Sequence, residues 1–315
     1  MRALRALAPG KTNLCLFLGP TRADGLHELV SLIEPLSLAD ELTLEPLPGG
    51  LAVAAAPGLA SEMCAAGADE VVCAGVEGPN LAAEALARYR AASGWNGPPQ
   101  RLTIVKRVPV AAGMGGGSGD AAAALRLAAH AAGRPGDPLI ATLASGLGAD
   151  VPSQVEPGPV LVHGAGEHVE PVALPPAHAA LVIPSQEQLS TPAVFREADR
   201  LGLGRDAAEL LELRERVREG LLPELVVNDL EPAARSLCPS IDVSLDAARA
   251  AGADHAFVSG SGPTVIGLWW GRAAGAAAEA AAVALRDRFP GAVATHPVAS
   301  DFAHVVPVRD NAGWS

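Results

Sequence analysis

Lysine, aromatic residues and cysteine are all scarce in this chain of 315 residues. Only Lys11 and Lys106 are lysines, while Ala, Arg, Gly and Pro abound, which reads as a bias of the coding sequence rather than a functional signal. Aromatics make up 3% against 49% hydrophobic residues, so any core must be built from Ala, Val and Leu. Positive charge is also in deficit: the formal net charge is −12. An acidic surface repels nucleic acid and anionic membranes, so neither is an expected partner, and an anionic ligand needs a local positive site. The four cysteines, Cys15, Cys64, Cys73 and Cys238, form no C-x-x-C and no zinc-like spacing. Reduced thiols and a cytoplasmic location are the expectation. No uncharged apolar run reaches the ~20 residues of a membrane-spanning helix. The Ala-rich run Ala273–Leu285 is interrupted by Glu279, and the arginines of Met1–Lys11 precede no apolar stretch of the kind a signal peptide has.

What is present divides in two. Leu14–Leu18, Leu29–Leu36 and Glu41–Leu47 read as strands, and Asn80 as a cap on a helix from Leu81 to about Ala92. Leu102–Val110 is a β-branched strand. After it come glycines, then an Ala-rich helix Ala121–Ala132 stopped by Gly133 and Pro135, and a short helix near Leu139–Gly146. Pro and Gly crowd Glu156–Pro176, around a short Val160–His163 strand, and the chain is divided there into residues 1–160 and 161–315. Beyond it run strand Ala179–Ile183, helices near Ala207–Gly220, Leu230–Leu237 and Ser240–Ala251, and strands Ala256–Val258 and Thr264–Trp270. Helix Ala273–Arg288 and strand Ala292–Thr295 follow. That order is β-α-β-β-α-β with extra helices, a ferredoxin-like layer in an α+β chain. The tail from Asn311 is expected to be loose.

The most informative stretch is Ala111-Ala112-Gly113-Met114-Gly115-Gly116-Gly117-Ser118-Gly119-Asp120, between a strand and a helix. Backbone N–H groups at a helix N-terminus lack internal partners, the dipole adds about half a positive charge there, and glycine lets phosphate oxygens approach. This is how an acidic protein can hold a triphosphate. The familiar glycine loops fail on spacing. G-x-x-x-x-G-K-[ST] is absent, and G-x-G-x-x-G started from Gly113 meets Ser118 at its third glycine. A dinucleotide fold also requires a parallel βαβ unit, which the N-terminal half is not expected to contain. Nor is Ser118 in a G-x-S-x-G elbow, because Asp120 fills the last place.

Three segments in order, Pro9-Gly10-Lys11-Thr12-Asn13-Leu14, Pro109–Ala122 and Val258-Ser259-Gly260-Ser261-Gly262-Pro263, resemble the three motifs of the GHMP kinase superfamily. Arg22-Ala23-Asp24-Gly25-Leu26-His27-Glu28-Leu29 and Gly148-Ala149-Asp150-Val151-Pro152 resemble signatures of one of its families, the 4-diphosphocytidyl-2-C-methyl-D-erythritol kinases. Asn228-Asp229-Leu230-Glu231 and Thr191-Pro192 agree with it. The likeness runs from Pro9 to about Leu268.

It implies a two-domain fold, an N-terminal domain of the ribosomal-S5-second-domain type and a ferredoxin-like C-terminal domain. It also implies ATP and Mg2+ as cofactors and a small-molecule alcohol as acceptor, in a monomer or weak homodimer. Asp150 would be the catalytic base and Lys11 its partner, because an alcohol becomes nucleophilic as a carboxylate accepts its proton and a nearby ammonium stabilises the charge that develops. Alone, Asp150 reads as a turn residue ahead of Pro152 and Lys11 as a solvated lysine. For ATP the resemblance implies Asn80, Lys106, Pro109, Gly113, Gly115, Gly116, Gly117, Ser118 and Gly119. For the acceptor it implies Asn13, Leu26, His27, Thr191, Phe195, Gly260 and Gly262. Without it, Asn80 is a helix cap, Lys106 a surface charge, His27 a strand-edge histidine and Phe195 a core residue. No residue is assigned to a metal.

The pattern departs from the family at Leu26, where a tyrosine would stack on cytosine, so Phe195 has more of the stacking to supply. It departs also at Gly119-Asp120, which sets a carboxylate beside the phosphate loop. Two other readings stay open: a GHMP kinase for homoserine, mevalonate or a sugar, and a non-catalytic nucleotide-binding relative.

Overall fold

The computed structural model describes residues 2–47, 61–63, 69–76 and 78–308. Cys64 and the tail from Asn311 lie outside them. The three apolar segments at the start merge into two long strands, β1 (Leu4–Thr21) and β2 (His27–Pro46), paired antiparallel from Leu4↔Leu44 to Thr21↔His27. Register shifts between Pro9 and Lys11 and between Asn13 and Cys15 absorb the proline and re-aim the side chains around Lys11. From Ala8 to Gly19 every β1 residue is buried, because β1 crosses three packed cores. Ala6 and Ala8 face the helices, Leu14, Cys15 and Phe17 enter a central cluster, and Leu16 and Leu18 join the core of the second half.

Short strands β3 (Ser61–Met63) and β4 (Glu70–Cys73) lead to helix α1 (Leu81–Ser93) and strand β5 (Gln100–Val105). Asn80 Oδ1 caps α1 by accepting the N–H groups of Ala82 and Ala83 at 2.9 and 3.4 Å. β4 and β5 pair in parallel, so β4–α1–β5 is a parallel βαβ unit, contrary to expectation. The glycine loop, however, follows β5 and does not connect β4 to α1, which leaves the dinucleotide-binding geometry absent.

The β-branched run predicts strand through Val110, yet β5 stops at Val105. The backbone N–H groups of Arg107 and Val108 donate to Asp40 Oδ1 at 2.5 and 2.8 Å instead of continuing the ladder, and Pro109 has no N–H to offer. Helix α2 (Gly116–Ala131) begins five residues earlier than the Ala run implies, inside the glycines, with Gly119 N–H bonded to Gly115 O at 2.8 Å. Ala121–Leu125 and Leu127–Ala129 are all buried, and α2 packs on α1 and β1. Helices α3 (Leu139–Ser145) and α4 (Val151–Val155) precede β6 (Val160–Gly164) and β7 (His168–Pro171). β6 pairs with β2 and β7 with β6, so the first sheet extends past residue 160 and the chain enters the second sheet only at 178.

The second half holds β8 (His178–Ile183), α5 (Thr191–Leu201), α6 (Ala207–Glu219), α7 (Glu231–Leu237), α8 (Ser240–Ala250), β9 (His255–Val258), β10 (Val265–Trp270), α9 (Ala274–Leu285) and β11 (Val293–Thr295). Its antiparallel sheet runs β11-β8-β10-β9, the ferredoxin-like order expected. A last short strand, β12 (Val306–Pro307), returns to β1. One buried pair joins the halves: His178 Nε2 lies 2.6 Å from Glu34 Oε2, and His178 Nδ1 lies 2.7 Å from Pro176 O. The Pro176 carbonyl can only accept, so Nδ1 donates to it. Burial alone would lower this imidazole's pKa; the Glu34 carboxylate more than offsets it and the pKa is raised. Cys15, Cys73 and Cys238 are buried and unpaired, and burial pushes the Cys15 thiol up to about 12.

Candidate active site

Two hairpin ends, the start of α2, the turn before α4 and the loop after β9 converge on a cleft of about 890 Å³. Its lining includes every candidate named from the sequence except Gly119. A Cβ on Gly119 would sit 3.2 Å from Pro9 O, so this glycine faces β1 and lets α2 pack closely there.

The glycine loop is shaped by more than phosphate access. Gly113 and Gly115 have φ of +76° and +65°, which favour glycine. A Cβ on Gly113 would lie 2.1 Å from Ser259 O, so that glycine makes room for the third loop. Gly117, by contrast, faces open space. The first N–H groups of α2 have no helical partner, and Gly116, Gly117 and Ser118 line the cleft.

Lys11 lies under this loop. Its backbone N–H donates to Met114 O at 2.9 Å and its stem packs where a Cβ on Gly115 would be, 2.9 Å away. The buried Nζ donates to Asn13 Oδ1 at 2.8 Å and lies 3.6 Å from Asp150 Oδ2. Asn13 Nδ2 in turn donates to Ser31 Oγ at 2.7 Å, and Ser31 to Cys15 O. This chain leaves the lysine one position. Asp150 is the residue ahead of α4, but its side chain caps no helical N–H and stays 40% exposed, turned to the cleft.

The other lysine, Lys106, is no surface charge. Its Nζ is held between the carboxylates of Asp40 and Asp120, the latter at 2.7 Å. Burial first, opposed by Lys106 and reinforced by Asp40, raises the Asp120 pKa to about 7. The two carboxylates outweigh the burial of Lys106 and raise its own pKa. Asp120 is therefore turned onto a lysine, and Asp40, buried behind the cleft, is a partner of Lys106 that no motif pointed to.

On the opposite wall His27 Nε2 lies 2.7 Å from Asp199 Oδ1 and 3.2 Å from Thr21 Oγ1, and its ring centroid is 5.3 Å from that of Phe195. Phe195 both packs against the second core and lines the cleft. Leu26 stands at the rim, 55% exposed. Thr191 Oγ1 is 2.9 Å from Ser261 Oγ. Asn228 holds the third loop by donating to Val258 O and Gly260 O, both at 2.7 Å. A Cβ on Gly260 would meet Asn13 Oδ1 at 3.2 Å and Lys11 Nζ at 3.4 Å, so the third loop closes directly over the Lys11–Asn13 pair.

Comparison with known proteins agrees with this geometry. Residues 80–158 match the model of the GHMP kinases N terminal domain and residues 205–290 that of the GHMP kinases C terminal. A 4-diphosphocytidyl-2-C-methyl-D-erythritol kinase of Anaeromyxobacter sp. is 38% identical over 295 residues, 92% of this chain and 88% of that one. The protein of that name from Streptomyces coelicolor is 38% identical over 269 residues, 82% of this chain and 85% of its own. A crystal structure of 4-(cytidine 5'-diphospho)-2C-methyl-D-erythritol kinase superposes with a TM-score of 0.70 at 35% identity, covering 93% of this chain and 99% of that one. With whole-length relatives at this identity and both domain models matched, the chain belongs to the 4-diphosphocytidyl-2-C-methyl-D-erythritol kinase family of GHMP kinases.

Proposed function

We propose that this chain uses ATP and Mg2+ to phosphorylate the 2-hydroxyl of 4-diphosphocytidyl-2-C-methyl-D-erythritol, in the non-mevalonate route to isoprenoids. The observation that carries the reading is the Lys11–Asp150 pair, 3.6 Å apart, at the junction of the glycine cradle and the wall formed by Asn13, His27 and Phe195. The cradle fits a triphosphate: open space at Gly117, unpartnered N–H groups and a helix dipole aimed at it. ATP, when bound, supplies the phosphoryl group. Asp150 accepts the acceptor's hydroxyl proton, and Lys11, held by Asn13, offers positive charge to the oxygen as it becomes nucleophilic. The remainder of the barrier is lowered by positioning, as for phosphoryl transfer in general. Among the described residues no group of three or more His, Cys, Asp or Glu side chains could enclose a metal. Mg2+ needs no such group: one or two carboxylates beside the nucleotide phosphates and water suffice to hold it. Among the described residues no helix is long and apolar enough to cross a membrane.

The test is ADP release with Mg2+-ATP, comparing the cytidine-diphospho-methylerythritol acceptor with homoserine and mevalonate. Turnover with the first alone supports the reading. Turnover with another alcohol keeps the Lys11–Asp150 chemistry and replaces the acceptor. ATP binding without turnover points to a non-catalytic relative.

A further inference from the structure

Arg22 and Glu167 are absent from the lining of the cleft, yet they join two turns that form its wall. The turn between β1 and β2 is tight: Arg22 N–H donates to Leu26 O at 2.6 Å, Gly25 N–H to Arg22 O at 3.0 Å, and Asp24 Oδ1 accepts Leu26 N–H at 3.1 Å. It presents Gly25, Leu26 and His27 to the cleft. The turn between β6 and β7 presents Ala165 and Gly166. The Arg22 guanidinium bridges the two. Nη1 lies 2.5 Å from Glu167 Oε1 and Nη2 3.0 Å from Asp24 Oδ2. Glu167 Oε2 accepts the Ala165 N–H at 2.5 Å. Hydrogen bonding to Arg22 and to backbone N–H groups pulls the Glu167 pKa down to about 2, so the carboxylate is ionised throughout the working range.

The glycines of the second turn make the arrangement possible. Gly164 has φ of +73°, which favours glycine, and a Cβ there would lie 2.7 Å from the Glu167 carboxylate that folds back over the turn. A Cβ on Gly166 would lie 3.3 Å from Ala149 Cβ, so this turn rests against the residue that precedes Asp150. A continuous contact path therefore runs from Leu26 and His27 through Arg22, Glu167 and Gly166 to Ala149 and Asp150.

We propose that Arg22 and Glu167 are a positioning pair that clasps the acceptor-facing turn to the segment carrying Asp150 and so sets where the acceptor hydroxyl meets that carboxylate. The proposal rests on the functional reading above. Both side chains are part-exposed, 31% and 45%, and exposed ion pairs contribute little to stability. Their effect belongs to geometry, where a misplacement of about 1 Å can cost up to ~100-fold in rate.

The experiment is a double-mutant cycle of Glu167→Ala, Arg22→Ala and the double variant in the full chain. It measures kcat and KM for the acceptor, KM for ATP and the thermal midpoint. Each single variant is expected to lose about 10-fold or more in kcat/KM for the acceptor, with ATP KM and midpoint unchanged, and the double variant to be no worse than either single one, as expected of coupled neighbours. Glu167→Gln, which keeps an acceptor oxygen for Ala165 or Arg22, is expected to retain more activity than Glu167→Ala. Single losses that multiply in the double variant, losses that track the midpoint or ATP KM, or no loss at all would each overturn the clasp. An inactive wild-type protein would instead overturn the functional reading.

Discussion

At the scale of single residues, the site depends on charges that are each committed to a partner. Lys11 is shared between Asn13 and Asp150, and Lys106 between Asp40 and Asp120. Asp150→Asn is expected to lower kcat by about 10²–10⁴-fold while nucleotide binding, followed by titration calorimetry, stays near the wild-type level. Asp120 gives a pH signature. Its folded pKa of about 7 lies above the ordinary aspartate value, so its stabilising share is full below that ordinary value and is lost as pH rises through about 7. Ionisation also places negative charge beside the glycine loop proposed to hold the phosphates. Nucleotide affinity is therefore expected to weaken from pH 6 to pH 8 more in the wild type than in Asp120→Asn; parallel pH profiles would show that Asp120 does not sense the nucleotide. Leu26→Tyr is expected to lower the acceptor KM about 2- to 10-fold by adding a ring to the cleft that Phe195 also lines. An unchanged KM would mean the rim position does not meet the base.

At the scale of elements, α2 shows how an aromatic-poor chain packs. Ala121–Ala124 and Ala128–Ala129 are buried between α1 and the first sheet, and their small side chains bring the helix close enough for its N-terminus to face the cleft. Ala124→Leu is expected to destabilise by about 1–3 kcal/mol through overpacking, read by urea denaturation. The helix start was hidden in the sequence because glycine runs resemble turns, whereas here Gly116, Gly117, Ser118 and Gly119 already form the first turn of α2. β5 ends early for a similar reason: Asp40, far away in sequence, draws Lys106 and two backbone N–H groups out of the ladder. No local pattern carries such information.

At the scale of the whole molecule, the cleft forms where two halves meet, through Ser259 on Gly113, Asp229 on Leu16 and Leu18, and the Glu34–His178 pair. The raised folded pKa of His178 means that its stabilising share is full below the ordinary histidine pKa and lost as pH rises through the folded value. His178→Ala leaves Glu34 buried without a counter-charge and is expected to cost about 3–5 kcal/mol, measured by urea denaturation at pH 6; a smaller loss would mean water or another group reaches Glu34. The glycine loop ahead of a helix, the three motifs and the β-α-β-β-α-β order of the second half were legible in the sequence, because backbone freedom and hydrophobic periodicity are local properties written in consecutive residues. A further signal went unused there: the only two lysines of the chain, Lys11 and Lys106, both line the cleft. Only the tertiary structure decided that Asp40 holds Lys106, that Asp199 meets His27, that Glu34 pairs with His178 and that Arg22 reaches Glu167. Those pairs span 66 to 172 positions of the chain, and a charge chooses its partner by the distance that folding sets, not by separation in sequence.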